Sequence, residues 1–309
     1  MTDTSSASTM TGVQTDLSTK SAVTPLAIRP RSVNPSVRII RPPAFSLSTV
    51  VRGLRILLHY SDLLYTLSLF RLNVRYKQSA LGWAWAALQP LALMGIYTFI
   101  FAHVTTVKTG GIPYPIFVFS ALLPWIFFAS AITNSVQGLI AYPNLLTKMY
   151  FPREIIPLSY LAAGIVDFLI ASVILAFLMV HYRISLTWNV LYGIPILMIL
   201  GAFAAAMALL FSAVHVRFRD VGLAMPFVLQ VWMFATPVVY SLEAVPQRFR
   251  LLYLLDPAAG TIDNFRRSVI YGKPPNIPEM AWAAAISTVT LAAAYAYFKS
   301  SETVMADII

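Results

Sequence analysis

The sequence predicts an all-α polytopic membrane protein with six transmembrane helices, and three observations predict it. The 309 residues are 58% hydrophobic and only 11% charged, with a mean hydropathy of +0.73. A soluble domain carries about 25% charged residues, so a chain this apolar has too little polar surface to face water on all sides. Apolar stretches of about 20 residues, the length that crosses a bilayer core, recur along it. The net charge of +10 then reads as loops that face an anionic leaflet rather than as a nucleic-acid surface.

The elements follow in order. Residues 1–44 are rich in Ser, Thr and Pro, and nothing aromatic precedes Phe45. They read as a flexible cytoplasmic tail that cannot offset the entropy of ordering. They hold no apolar run of the kind a secretory leader needs, and the tail is expected to extend to residue 58. Residues 61–78 fit a helix that Ser61 or Asp62 can cap. Leu63, Leu67, Phe70 and Val74 form one apolar stripe, and Tyr65, Leu69, Leu72 and Tyr76 a second. Arg71 and Arg75 lie between the stripes, which suits a helix in the membrane interface with its arginines toward phosphates.

The expected spans are 82–104, 114–137, 157–180, 189–213, 222–241 and 280–298. Prolines 90, 124, 195, 226 and 237 fall inside them, which a membrane helix tolerates when neighbours satisfy the freed carbonyls. Residues 242–279 carry apolar runs too short to span and read as two short helices in or near the interface. Six spans put both termini on one side. The short loops on that side hold Lys148, Arg153, Arg217 and Arg219, and those opposite hold Lys108 and Arg183. Positive charge favours the cytoplasm, so the termini are expected there and 242–279 outside.

Some chemistries are missing from the sequence. It has no cysteine, hence no disulfide or thiol nucleophile. It has no GxxxxGK[ST] loop to cradle nucleotide phosphates, no HExxH and no GxSxG. His59, His103, His181 and His215 lie near expected helix ends without metal-ligand spacing, so no metal and no cofactor is expected. Asp167 is the one acid expected within a span; it reads either as half of a structural ion pair or as a transport residue. Two segments on the cytoplasmic side are unusually polar: "GLIAYPNLLTKMYFPREIIP", 138–157, and "HVRFRD", 215–220. They serve either as ordinary positive anchors or as a docking surface for a soluble partner.

The stretch "RLNVRYKQSALGWAWAALQPLALMGIYTFIF" from Arg71 resembles the signature of polysaccharide-exporting ABC-2 type permeases, the O-antigen, teichoic acid and capsule exporter subunits. "YFPREIIPLS" from Tyr150, "HVRFRDVGLAMPFVLQVWMFATPVVYSLEAVPQRFRLLYLLDPAAGTIDNFR" from His215 and the ending "ETVMADII" are similar to later family segments. The likeness runs over about 60–309, and the domain is taken as 59–309. It implies an interface helix, a coupling segment between spans two and three, and short extracytoplasmic re-entrant helices before span six. It also implies a homodimer in the cytoplasmic (inner) membrane with a separate ATP-binding subunit, no catalysis in this chain, and a lipid-linked glycan as substrate. Under this resemblance Arg71, Arg75 and Lys77 are candidates to meet the substrate's pyrophosphate. Lys148, Phe151, Arg153, Glu154, Arg217, Arg219 and Asp220 are candidates for ATPase coupling. The rings of Trp83, Tyr97, Phe101, Phe227 and Phe234 either line a channel, with Tyr240 near the outer mouth, because aromatic faces stack on sugars weakly and interchangeably, or meet lipid. The alternatives are an ABC-2 exporter of a non-glycan lipid or drug, or a membrane-embedded glycosyl- or acyltransferase.

Overall fold

Proline and the residue before it set several of the helix boundaries. In the computed structural model, which describes residues 59–77, 79–104, 109–141 and 151–308, the described chain is helical and contains no strand. These residues all belong to the unit Pro42–Ile309. The expected tail 1–58 and Lys148 lie outside the described residues.

Helix α1 runs Ser61–Tyr76 and packs on α4, Ile155–His181. Its buried residues are Ser68, Arg71, Leu72 and Tyr76, while Tyr65, Phe70 and Val74 are exposed. The helix therefore has one protein-facing side and one open side. Arg71 lies on the protein side, against the expectation that both arginines point outward. After Tyr76 the chain turns through Gly82, whose φ of +52° a side chain would disfavour. Helix α2, Ala84–Val104, starts only after this turn, so Trp83 sits on the corner and not on the span.

Helix α3, Tyr114–Gly138, begins behind Pro113 with Pro115 in its first turn, where a missing N–H costs nothing. It is apolar on every side and buried on almost every side, as a central helix must be. Phe128 on α3 stacks on Phe203 (5.4 Å between centroids, 6° between planes) and meets the edge of Trp232. Helix α5, Gly193–Arg217, continues a short 3-10 turn, Trp188–Tyr192. Its buried alanines 204, 205, 206 and 208 let the last helix, α9, Ile277–Ile308, run closely against it. Small residues at such interfaces matter in lipid, where van der Waals packing rather than water exclusion holds helices together.

Five stretches are long and apolar enough to cross a membrane: Ala84–Phe101, Tyr114–Gly138, Ile155–His181, Trp188–Arg217 and Ile277–Glu302. The remaining expected span, 222–241, is observed as the 16-residue helix α6, Asp220–Ala235. At 1.5 Å per residue it is about 24 Å long, less than a bilayer core of about 30 Å. Thr236 marks the early end: it precedes Pro237, which disfavours the helical conformation, and its ψ is 142°. Beyond it lie two short 3-10 turns, then α7, Arg250–Leu254, and α8, Pro257–Val269. Helix α8 is capped by Asp256, whose carboxylate accepts from Ala258 N, and it rests on α3, α5 and α9.

Candidate functional site

Helices α2, α3, α4 and α6 enclose a cavity of about 580 Å³. Aromatic rings (Trp85, Tyr97, Trp125) and neutral amides (Gln89, Asn134, Gln230) share its wall. Tyr97 is buried there and its hydroxyl lies 3.8 Å from Met233 Sδ, spanning from α2 to α6. Away from the Arg75–Asp167 pair at one end, a wall of this kind offers exchangeable hydrogen bonds and ring faces. Pro90 on α2 lines it too, and so frees a carbonyl within the span.

One end of the cavity is closed by a cluster from α1 and α4. Arg75 donates to Asp167 Oδ2 at 2.5 Å, and Tyr76 donates to Asp167 Oδ1 at 2.8 Å. Trp83 stacks on Tyr76 at 4.7 Å. Helix α1, the corner before α2 and the middle of α4 are thereby tied together. Burial and the bond to Asp167 push the Tyr76 phenol up to about 12, so it stays a donor at any physiological pH. Arg71 is 7% exposed, with its guanidinium 4.3 Å above the Tyr160 ring. Of the three cations expected at phosphates, Lys77 is exposed, Arg75 is engaged by Asp167 and Arg71 is inside.

The aromatic set expected to line one path is divided. Tyr97 lines the cavity, and Phe101 lies half-buried against Tyr114. Trp83, on the corner, does not share their helical face. Phe227 and Phe234 point away from the core of α6, with Phe227 73% exposed. Tyr240 caps the broken end of α6, donating to Phe234 O at 2.9 Å. Missed in the sequence were Gln89 and Gln230, whose alternation with rings along an apolar helix is the signal that could have found them.

A second cluster joins the segment after α3 to α9. Glu154 is fully buried, although it was expected on a docking surface. Lys299 donates to its Oε2 at 2.8 Å and Tyr295 to its Oε1 at 3.3 Å. Lys299 also reaches Glu302 at 3.2 Å, and Arg153 donates to the Glu302 carbonyl at 2.7 Å. Phe151 packs half-buried on the core. Arg217, Arg219 and Asp220 are exposed at the turn from α5 to α6. That turn is held by Gly222 N, which donates to His215 Nδ1 at 3.0 Å, so His215 is a buried acceptor.

A third arrangement fixes the broken chain after α6. Arg266 is fully buried, with its guanidinium 3.9 Å over the Phe117 ring. It donates to the carbonyls of Pro237 (3.0 Å), Val238 (2.8 Å) and Tyr240 (3.3 Å). Burial lowers its proton affinity, which a guanidinium can bear without losing its charge. Asp256 accepts from Trp232 Nε1 (3.0 Å) and Thr236 Oγ1 (3.1 Å), and burial holds its carboxyl above the usual range. Among the described residues no three His, Asp or Glu side chains are placed to hold a metal ion.

The comparisons with known proteins agree with this architecture. The family model of the ABC-2 type transporter matches residues 63–270, from α1 through α8. The chain is 30% identical to the O-antigen export system permease protein RfbA of Myxococcus xanthus over 254 residues, 81% of this chain and 96% of that one. It is 36% identical to a Klebsiella pneumoniae protein of the same name over 68% of this chain and 81% of the relative. It is 23% identical to the polysialic acid transport protein KpsM of Escherichia coli over 77% of this chain and 93% of the relative. With the match running from α1 to α8, this multi-pass membrane chain belongs to the ABC-2 type transporter family.

Proposed function

We propose that the chain is the permease subunit of an ABC exporter that moves a lipid-linked polysaccharide across the cytoplasmic membrane. It works as a homodimer with a separate ATP-binding subunit and does not itself hydrolyse ATP. The observation that carries this is the 580 Å³ cavity walled by rings and neutral amides, in a chain whose relatives are named for O-antigen and polysialic acid export. A polymer must advance through its path, so contacts that are many, weak and alike suit it better than one deep site. The exposed apolar faces of α2 (Ile96, Phe99) and α6 (Leu223, Phe227) support pairing with a second copy. The short α6 completes a six-span topology with both termini cytoplasmic, by the cations of the short loops. In that orientation α7 and α8 are the extracytoplasmic re-entrant helices. The exposed Arg217, Arg219 and Asp220, with Arg153, Phe151 and Lys148, form the face that meets the ATPase, while Lys77 and the outer part of Arg75 meet the headgroup phosphates.

Thiol labelling tests the path, because the chain has no native cysteine. Cysteine is introduced singly at positions 97, 101 and 234 in permease reconstituted with its ATPase. A small water-soluble reagent is expected to modify the Tyr97 position in at least one nucleotide state. If that thiol stays inert in every state while a lipid-soluble reagent labels it, the cavity is not the route. Failure of the permease to restore surface polysaccharide in a strain lacking it, with the ATPase present, would overturn the substrate class.

A further inference from the structure

A second cavity, of about 490 Å³, lies between α7, α8 and the start of α9, away from the site above. Arg250, Arg267 and Lys273 line it together with Tyr253 and Tyr271. Three carboxylates share the wall, each held in place by bonds of its own, to neutral donors for Asp256 and Glu279 and to a cation for Asp263. Asp256 is bonded by Trp232, Thr236 and Ala258. Asp263 lies 3.9 Å from Arg266, and Glu279 accepts from Asn264 at 3.2 Å. Among the described residues the side chains of Arg250 and Lys273 have no hydrogen-bond or ion-pair partner, and Arg267 uses only Nε, which donates to Pro274 O at 2.8 Å.

The backbone holds two of these cations side by side. Gly272, at φ +60°, turns the chain back so that Lys273 N donates to Arg267 O at 3.1 Å. Asn189 Nδ2 fixes the turn by donating to Gly272 O at 2.6 Å. The side chains of Arg267 and Lys273 are both exposed, and among the described residues no ion pair joins either to a carboxylate of the wall, so their charges stay open to an incoming anion. The tyrosine hydroxyls are already engaged, Tyr271 with Thr109 O at 2.8 Å and Tyr253 with Tyr240 at 2.7 Å. Their rings therefore add apolar wall beside the charge. We infer that this cavity binds an oxyanion, a phosphate or carboxylate carried on a polyol framework, through Arg250, Arg267 and Lys273. The ligand chemistry fits an acidic sugar and an anionic lipid headgroup equally, and the inference stands whatever the proposed exporter carries.

Calorimetric titration of the full-length protein in neutral detergent tests it, with glucuronate, inorganic phosphate and glucose as probes. Both anions should bind saturably, and glucose at equal concentration should not. Lys273→Gln, an exposed side chain without a partner to lose, should weaken anion binding about tenfold, as expected for one charge-assisted bond. Arg248→Gln, outside the cavity, should bind as the wild type does. Absence of saturable binding by either anion, or equal affinity in wild type and Lys273→Gln, overturns the inference. Repeating the titration in phosphatidylglycerol nanodiscs identifies the source: competition with glucuronate assigns the site to a lipid headgroup, and unchanged affinity assigns it to a soluble or glycan-borne anion. Either result supports the site.

Discussion

Replacing Lys299 by Met leaves Glu154 at zero exposure with only the Tyr295 hydroxyl as partner. Breaking a buried ion pair by removing one member costs about 3–5 kcal/mol, because the remaining charge has neither water nor counter-ion. Lys299 keeps 19% side-chain exposure and divides its charge between Glu154 and Glu302, so the lower end, about 3 kcal/mol, is expected. Glu154→Gln alone should cost less, about 1–2 kcal/mol, since the amide oxygen still accepts from Lys299 and the Tyr295 hydroxyl can turn to accept from the amide N–H. The double variant Glu154→Gln, Lys299→Met should lie near the milder single variant, because no charge is stranded. The resulting coupling is about 2–3 kcal/mol by a double-mutant cycle. Melting of the purified protein in detergent at one scan rate reads this out. At about 2–4 °C per kcal/mol for a large domain, Lys299→Met should melt roughly 6–12 °C lower. A loss under about 1 kcal/mol, or a double variant that costs the sum of the two singles, would refute the buried-pair reasoning and return Glu154 to the surface.

Three further perturbations follow from the same geometry. Asp167→Asn keeps an acceptor for Tyr76 but releases Arg75 from its ion pair; polymer export should fall severalfold and initial transport should become more salt-sensitive, because a freed surface cation is screened. Unchanged export and salt response would show that the cluster is only scaffolding. Gly222→Ala puts a methyl group into the His215 ring and the Gln137 amide; overpacking costs about 1–3 kcal/mol and outweighs the gain in helix propensity of about 1 kcal/mol, so melting should drop and not rise. Arg266→Met leaves the Pro237, Val238 and Tyr240 carbonyls without their donor; the cost should exceed about 3 kcal/mol, and limited proteolysis should begin to cut within 236–250.

Much of the fold was legible because spans are long and repetitive. The starts of α2, α3 and α4 fall within about two residues of where apolar length and proline placed them. The end of α6 was not legible, because "VGLAMPFVLQVWMFATPVVY" is apolar throughout, and hydropathy does not register that Thr236 must leave the helix. The corner at Gly82 was missed for a similar reason: Trp83 belongs to an apolar run, and only the positive φ detaches it from the span. Charged side chains were the least legible. A charge near a proline-flanked turn ordinarily faces water, so Glu154 was expected outside; its partner Lys299 lies 145 residues later, beyond any local pattern. Asp167 was the better signal, because a lone acid in an apolar span demands a partner, and Arg75 supplies it.

The break after α6 has a consequence for water. An unwound strand in a membrane ordinarily needs a hydrated crevice beside it, because its carbonyls have nothing else to bond. Here one guanidinium does the work of a hydration shell, with its rigid fork of donors spread over three carbonyls of the unwound backbone, those of Pro237, Val238 and Tyr240. The segment from Pro237 to Val239 can therefore stay dry while being neither helix nor strand. A break held in this way takes its shape from a side chain and not from solvent, so its geometry should persist when the water around it changes.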